Sequence, residues 1–143
     1  MSRADDQPLG YLLYRAVAAL RPQVAAELSP LGLGLPEFVC LRILSTHPGL
    51  TSAQLARGTN VSAQAMHQVL RALEDRGAVT RPPSTAAGRA MPAQLTRRGT
   101  ALLKRAEGAV RAAEQQILNH LSADEQHQLK QLLYAVARGV TSW

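Results

Sequence analysis

Apolar side chains recur along this chain at the three- and four-residue spacing of amphipathic helices, and the pattern is sharpest between Thr51 and Arg76. There Met66, Val69, Leu70 and Leu73 form one stripe, while Gln64, His67, Gln68 and Arg71 recur at the same spacing on the other side. Ser62 is a candidate N-cap for this helix and Gly77 its C-cap. Upstream, Thr51 with Gln54 three residues on reads as a capping box, and Leu55 and Ala56 give a short first helix its apolar side. Gly58, Thr59 and Asn60 separate the two helices. Beyond Gly77, the segments 78–81 and 91–95 read as short strands. They are joined by residues 82–90, rich in Pro, Ser, Thr, Ala and Gly, with Arg89 near the end.

The flanking blocks are longer. Pro8 is expected in the first turn of a helix whose stripe is Leu9, Leu12, Leu13, Ala16 and Leu20. Val24, Ala25 and Leu28 continue it, so Pro22 is expected to kink this helix and not to end it. After a break at residues 29–32, a helix begins at Gly34 or Leu35. Phe38, Val39, Cys40, Leu41, Ile43 and Leu44 make it apolar nearly all round, hence buried. Thr96 caps a long helix with a seam of Leu103, Ala106, Val110, Ala113 and Ile117, and Glu107 stands four residues before Arg111. Ser122 and Glu125 form a second capping box, opening a last helix lined by Leu129, Leu132, Leu133, Val136 and Val140. The outer stripes exceed what the small central module can cover. They are expected to bury against each other and against a second copy of the chain.

These elements predict a mainly α fold with a small β-hairpin wing: a winged helix-turn-helix flanked by long dimerisation helices. Residues 1–33 are the expected N-terminal dimerisation helix, 34–96 the winged module and 97–143 the C-terminal dimerisation helices. At 143 residues they share one compact domain. The composition is globular, and with only 3% aromatics the core must be Leu, Ala and Val. Net charge is +6, and its placement matters more than its size. Between Arg57 and Arg105 nine basic residues face two acidic ones, a surplus of seven, so the rest of the chain is nearly neutral. Phosphate binding asks for such a concentration of positive charge. Amides can pair with adenine edges and arginine with guanine, so the polar face of the second helix suits the major groove. The candidate DNA-contacting set is Thr51, Ser52, Ser62, Gln64, Ala65, His67, Gln68, Arg71, Arg81 and Arg89. A rival reading keeps the fold but makes it a protein-interaction module without specific DNA binding.

Other chemistry is excluded or disfavoured. One cysteine, Cys40, permits no internal disulfide, and on a buried helix it is favoured as a core residue over an oxidation sensor. His120, Asp124 and His127 have metal-ligand spacing, but the cap at Ser122 should break the helix between them, so no metal is expected. No nucleophile–base–orienter set and no glycine-rich phosphate loop points to an enzyme, and no cofactor is implied. The N-terminus lacks the apolar core of a signal peptide and no apolar run approaches a membrane span, so the cytoplasm is the expected compartment.

With these elements in place, the chain resembles the MarR family of transcriptional regulators over nearly its whole length. The matching stretches are residues 50–56, 61–66, 70–79 and 95–99. Among them Leu73-Glu74-x-x-Gly77 and Leu95-Thr96-x-x-Gly99 bracket a wing carrying an arginine. The resemblance implies a homodimer on a pseudo-palindromic operator in double-stranded DNA, usually a repressor released by a small ligand, often an aromatic or phenolic acid. This chain departs from the family where Arg89 follows Ala86-Ala87-Gly88 without the usual nearby aspartate, and where Ala65 and Gln68 occupy recognition-helix positions that often hold Thr or Ser and Arg. Tyr11, Tyr14 and Arg15 could pack a dimer or offer rings and a cation to an aromatic carboxylate. In the second case Cys40, Ile43, Leu44 and His47 are expected to form the opposing wall of the effector site.

Overall fold

The structure is a computed structural model that describes residues 3–81 and 92–139. The wing tip with Arg89, together with Met91 and Val140, lies outside the described residues. Helix α1 spans Leu9–Leu28 and runs on through Pro22, with Pro8 at its N-cap. Past Pro22, Val24 and Leu28 are buried, which accounts for the continued helix: two core side chains on its last turns outweigh the one lost backbone bond. A 3-10 turn, Ser29–Leu31, ends at Gly32 in the left-handed conformation. Helix α2 spans Leu35–Thr46, capped at Gly34, and buries Cys40, Leu41 and Leu44 completely or nearly so.

Helix α3 spans Ser52–Thr59 and α4 spans Ala63–Asp75. Both expected caps form. Thr51 and Gln54 exchange the two bonds of a capping box, and the Ser62 hydroxyl accepts the Ala65 N–H at 3.0 Å. Asn60 closes α3 in the left-handed conformation, which Asn tolerates better than most residues. Helix α4 ends at Arg76 and Gly77. The Gly77 N–H donates to the Glu74 carbonyl and the Ala78 N–H to the Leu73 carbonyl, the paired bonds of a Schellman motif. Gly77 takes the positive φ of 72° that this motif requires.

Strands β1 (Val79–Thr80) and β2 (Gln94–Leu95) pair antiparallel with Val79 opposite Leu95. β1 starts later than the expected residue 78, because Ala78 is taken into the cap of α4. A bridge between Leu50 and Ala93 extends the pairing toward the start of α3. Helix α5, Arg97–Leu118, is capped by Thr96, whose hydroxyl accepts from the Gly99 N–H and donates to the Gly77 carbonyl. Gly99 lies so close to β1 that a Cβ there would fall 2.0 Å from the Ala78 carbonyl oxygen. The two glycines of the bracketing motifs thus have separate jobs. Gly77 turns the chain out of α4, and Gly99 lets α5 pack on the base of the wing.

One core unites α1 to α5, with Leu28, Leu41, Leu44, Leu55, Leu70 and Leu73 fully buried and Leu103, Ala106 and Ala113 closing it from α5. Helix α1 packs chiefly on α5. Glu107 meets Arg42 of α2 at 3.2 Å, not the expected Arg111; the pair is largely solvated and stabilises little. Helix α6, Ala123–Arg138, begins at the expected capping box of Ser122 and Glu125, so its start separates His120 from Asp124 and His127. It buries no residue in the single chain, leaving Leu132 66% and Tyr134 69% exposed.

Candidate nucleic-acid interface

Helix α4 is fixed from behind. Met66, Leu70 and Leu73 sit in the core with Val69 beside them. That anchoring leaves Gln64, Ala65, His67, Gln68 and Arg71 exposed on the opposite side. The face presents amide, imidazole and guanidinium groups, able to donate and accept at base edges. Thr51 and Ser62 stand at the N-termini of α3 and α4, with Ser52 opening α3. Each cap satisfies one of the unpaired N–H groups of its first turn and leaves others for a phosphate oxygen. This set therefore lies along one helix-turn-helix.

Of the expected arginines, Arg71 is exposed on α4 and Arg81 is not free. Arg81 is held by Glu74, with its Nε 2.8 Å and its Nη2 2.6 Å from Oε1, and its side chain is only 9% exposed. It fastens the start of the wing to α4 and is not a free phosphate ligand. Arg89 lies outside the described residues. Arg76, counted within the basic surplus, donates to the Leu31 and Gly32 carbonyls at 2.8 and 3.0 Å and so ties α4 to the turn after α1. Arg81 and Arg76 thus carry structural bonds, while the net surplus of seven, which already subtracts Glu74, is unchanged.

The expected effector residues are not brought together. Cys40 and Leu44, at 0% and 1% exposure, are core residues and offer no wall to a ligand. Burial, with Glu37 adding to it, pushes the Cys40 thiol up to about 12, so it is protonated and poorly reactive near neutrality. Tyr11 and Tyr14 stand out on α1, Tyr14 72% exposed, with the Arg15 guanidinium 5.9 Å from the Tyr11 ring centroid. Ile43 and His47 are half-buried at the end of α2, where His47 Nδ1 lies 2.9 Å from the Thr46 hydroxyl.

A cleft of about 560 Å³ opens elsewhere, between α1, the start of α2 and the helix-turn-helix. Leu35, Pro36, Val39, Val61, Met66 and Val69 give it apolar walls, with Arg21, Glu37, Thr59 and Gln68 as polar groups. None of the seven residues expected from the sequence lines it. Glu37 Oε2 is buried without a hydrogen-bond partner. Ala65 and Gln68 line the cleft and also belong to the exposed face of α4. Arg21 lines this cleft although no local sequence signal links it to residues 35–39 and 59–69. Among the described residues no group of three His, Cys, Asp or Glu side chains is placed to hold a metal, and no single helix is long and apolar enough to cross a membrane.

Comparison with known proteins bears on this arrangement. Residues 31–90 match the model of the MarR family. The chain is 62% identical over 133 residues to the HTH-type transcriptional repressor Rv2887 of Mycobacterium tuberculosis strain H37Rv, covering 93% of this chain and 96% of that protein. The crystal structure of the M. tuberculosis MarR family protein Rv2887 with salicylic acid superimposes with a TM-score of 0.77 at 61% identity, covering 93% and 98% of the two chains. The structure of Rv2887 with DNA gives 0.78 at 58% identity, covering 91% and 98%. With likeness of this degree extending over nearly its whole length, the chain belongs to the MarR family.

Proposed function

We propose that this chain is a sequence-specific DNA-binding transcriptional repressor that acts as a cytoplasmic homodimer and is released by a small aromatic acid. It is a regulator and not a catalyst. The observation that carries the reading is the two-sided helix α4: one face locked in the core, the other presenting Gln64, His67, Gln68 and Arg71 to solvent. The repressor name of the M. tuberculosis relative, and its structures with DNA and with salicylic acid, support the same reading.

In this reading Gln64, Ala65, His67, Gln68 and Arg71 enter the major groove, and Thr51, Ser52 and Ser62 meet phosphates at its edge. Arg89 reaches the minor groove or its phosphates, and Arg81 supports the wing through Glu74. Residues 1–33 and 97–143 build the dimer. The exposed stripe of α6 is buried on the second copy, and Tyr11, Tyr14 and Arg15 go to the same surface. Two recognition helices then lie about 34 Å apart, one DNA turn.

The aromatic acid occupies the cleft beside α4. Its ring lies against Val39, Val61 and Val69, and Arg21 pairs with its carboxylate. Ligand in this cleft touches the helix that reads DNA. It lowers DNA affinity by no more than its preference for the unbound arrangement.

Selection of bound duplexes from a random pool at physiological salt tests the first part. A common two-fold symmetric sequence is the expected result, and equal retention of all sequences overturns it. Calorimetric titration of salicylate against wild type and Arg21→Ala tests the second. Unchanged binding by the variant removes the assigned cleft.

A further inference from the structure

We propose that a second cleft, at the far end of α4, binds a small phosphate-bearing anion at a site separate from both the DNA face and the aromatic-acid cleft. It has a volume of about 250 Å³ and is lined by Arg76, Ala78, Arg98, Ala101, Leu102 and Arg105. Three guanidinium side chains converge there and, among the described residues, no carboxylate lines it. A merely solvated surface usually mixes signs.

The arginines are arranged by the fold. Arg76 is pinned by its bonds to the Leu31 and Gly32 carbonyls, which fix the plane of its guanidinium while leaving its other N–H groups unused. Arg98 folds over Gly77, its Nη1 3.4 Å from where a Cβ would sit. Arg105 is seven residues on, two turns along the same side of α5. Neither Arg98 nor Arg105 has a hydrogen bond or ion pair among the described residues. Compensation of the α4 C-terminus does not explain them, because the Ala72, Leu73 and Glu74 carbonyls already accept from the N–H groups of Arg76, Ala78 and Gly77. The first turn of α5 also carries Arg97 and Arg98 and no acid, which sets cations against the positive end of that helix. A bound anion relieves both conflicts.

The chemistry selects phosphate. Guanidinium forks match tetrahedral oxyanions through paired N–H bonds. Ala78, Ala101 and Leu102 offer too little apolar wall for an aromatic ring, whereas the volume suits a group the size of pyrophosphate. Arg76 stands ~18 Å along the helix axis from Gln64, while recognition helices meet bases with their N-terminal residues. The ligand is therefore a small phosphorylated molecule and not the DNA backbone.

Inorganic pyrophosphate titrated calorimetrically into the full chain without DNA, at fixed ionic strength, tests the site. Arg98→Gln/Arg105→Gln is the variant, because Arg76 also holds the turn after α1; its thermal melt confirms that the fold survives. We expect one anion per chain, with affinity weakened at least about tenfold in the variant. Salicylate should fail to displace it, and operator affinity of the variant should stay within about twofold of wild type. Absence of binding, or equal binding by the variant, overturns the site. Displacement by salicylate overturns its separateness. Loss of operator affinity with a shallower salt dependence hands the arginines to the DNA backbone. Because pyrophosphate is measured without DNA, failure here is distinct from failure of the repressor reading.

Discussion

Helices α4 and α6 are written in the same pattern and meet opposite fates. In α4, Met66, Leu70 and Leu73 disappear into the core; in α6, Leu129, Leu132, Leu133 and Val136 recur at the same spacing and none is buried. The period of an amphipathic helix shows that a face requires cover but not what supplies it. For α4 the cover is α2 and α3 of the same chain. For α6 nothing among the described residues serves, and an apolar stripe of that length points to a partner surface.

The comparison is most severely tested by replacing Leu132 and Leu133 together with Asp. Sedimentation should then show a folded monomer, and DNA affinity should drop by about two to four orders of magnitude as the two half-sites lose their linkage. A dimer that survives the change removes α6 from the interface. In α4, Leu70→Ala should cost about 2–5 kcal/mol in chemical denaturation, because the cavity lies inside one chain. That loss should be independent of protein concentration, whereas destabilisation by Leu132→Ala should depend on it. Next in size, Gly99→Ala should lower stability by about 1–3 kcal/mol, since its methyl collides with the Ala78 carbonyl and α5 must shift off the wing. An unchanged melting curve would mean the wing base is looser than described. The smallest effect belongs to Cys40. Its folded pKa of about 12 against an ordinary 9.0 means that, between those pH values, the unfolded chain releases a proton that the folded chain keeps. Stability from this group is full below pH 9 and is lost as pH rises, by at most about 1.4 kcal/mol per pH unit. Urea titrations at pH 8 and 10 should show a steeper loss for wild type than for Cys40→Ala.

Much of the frame was legible because it rests on local rules. The capping residues Thr51, Ser62, Thr96 and Ser122 each stand where their sequence neighbourhood puts them. The buried and exposed sides of α4 followed from spacing alone. What escaped depends on approaches between distant segments. Gly99 against Ala78, Leu50 against Ala93 and Arg76 against the turn after α1 leave no periodic trace. The same limit explains the charge and effector expectations. Arg81 looked like a free cation until its partner Glu74, seven residues away, was placed beside it. Tyr11, Tyr14 and Arg15 share a helix with Arg21, yet of these four only Arg21 lines the cleft, which forms where α1 passes the start of α2. Cys40 and Leu44 lay on a helix apolar all round, and such a pattern cannot say which side borders a cavity.

The central claim is that the exposed face of α4 reads sequence. It is tested most directly by measuring wild type and Arg71→Ala against an operator and all its single-base-pair variants, at one salt concentration. Wild type should discriminate at a defined position in each half-site, and Arg71→Ala should lose about 1–3 kcal/mol there while the profile elsewhere is kept. A profile unchanged by Arg71→Ala, or one lowered evenly at every position, would contradict the account.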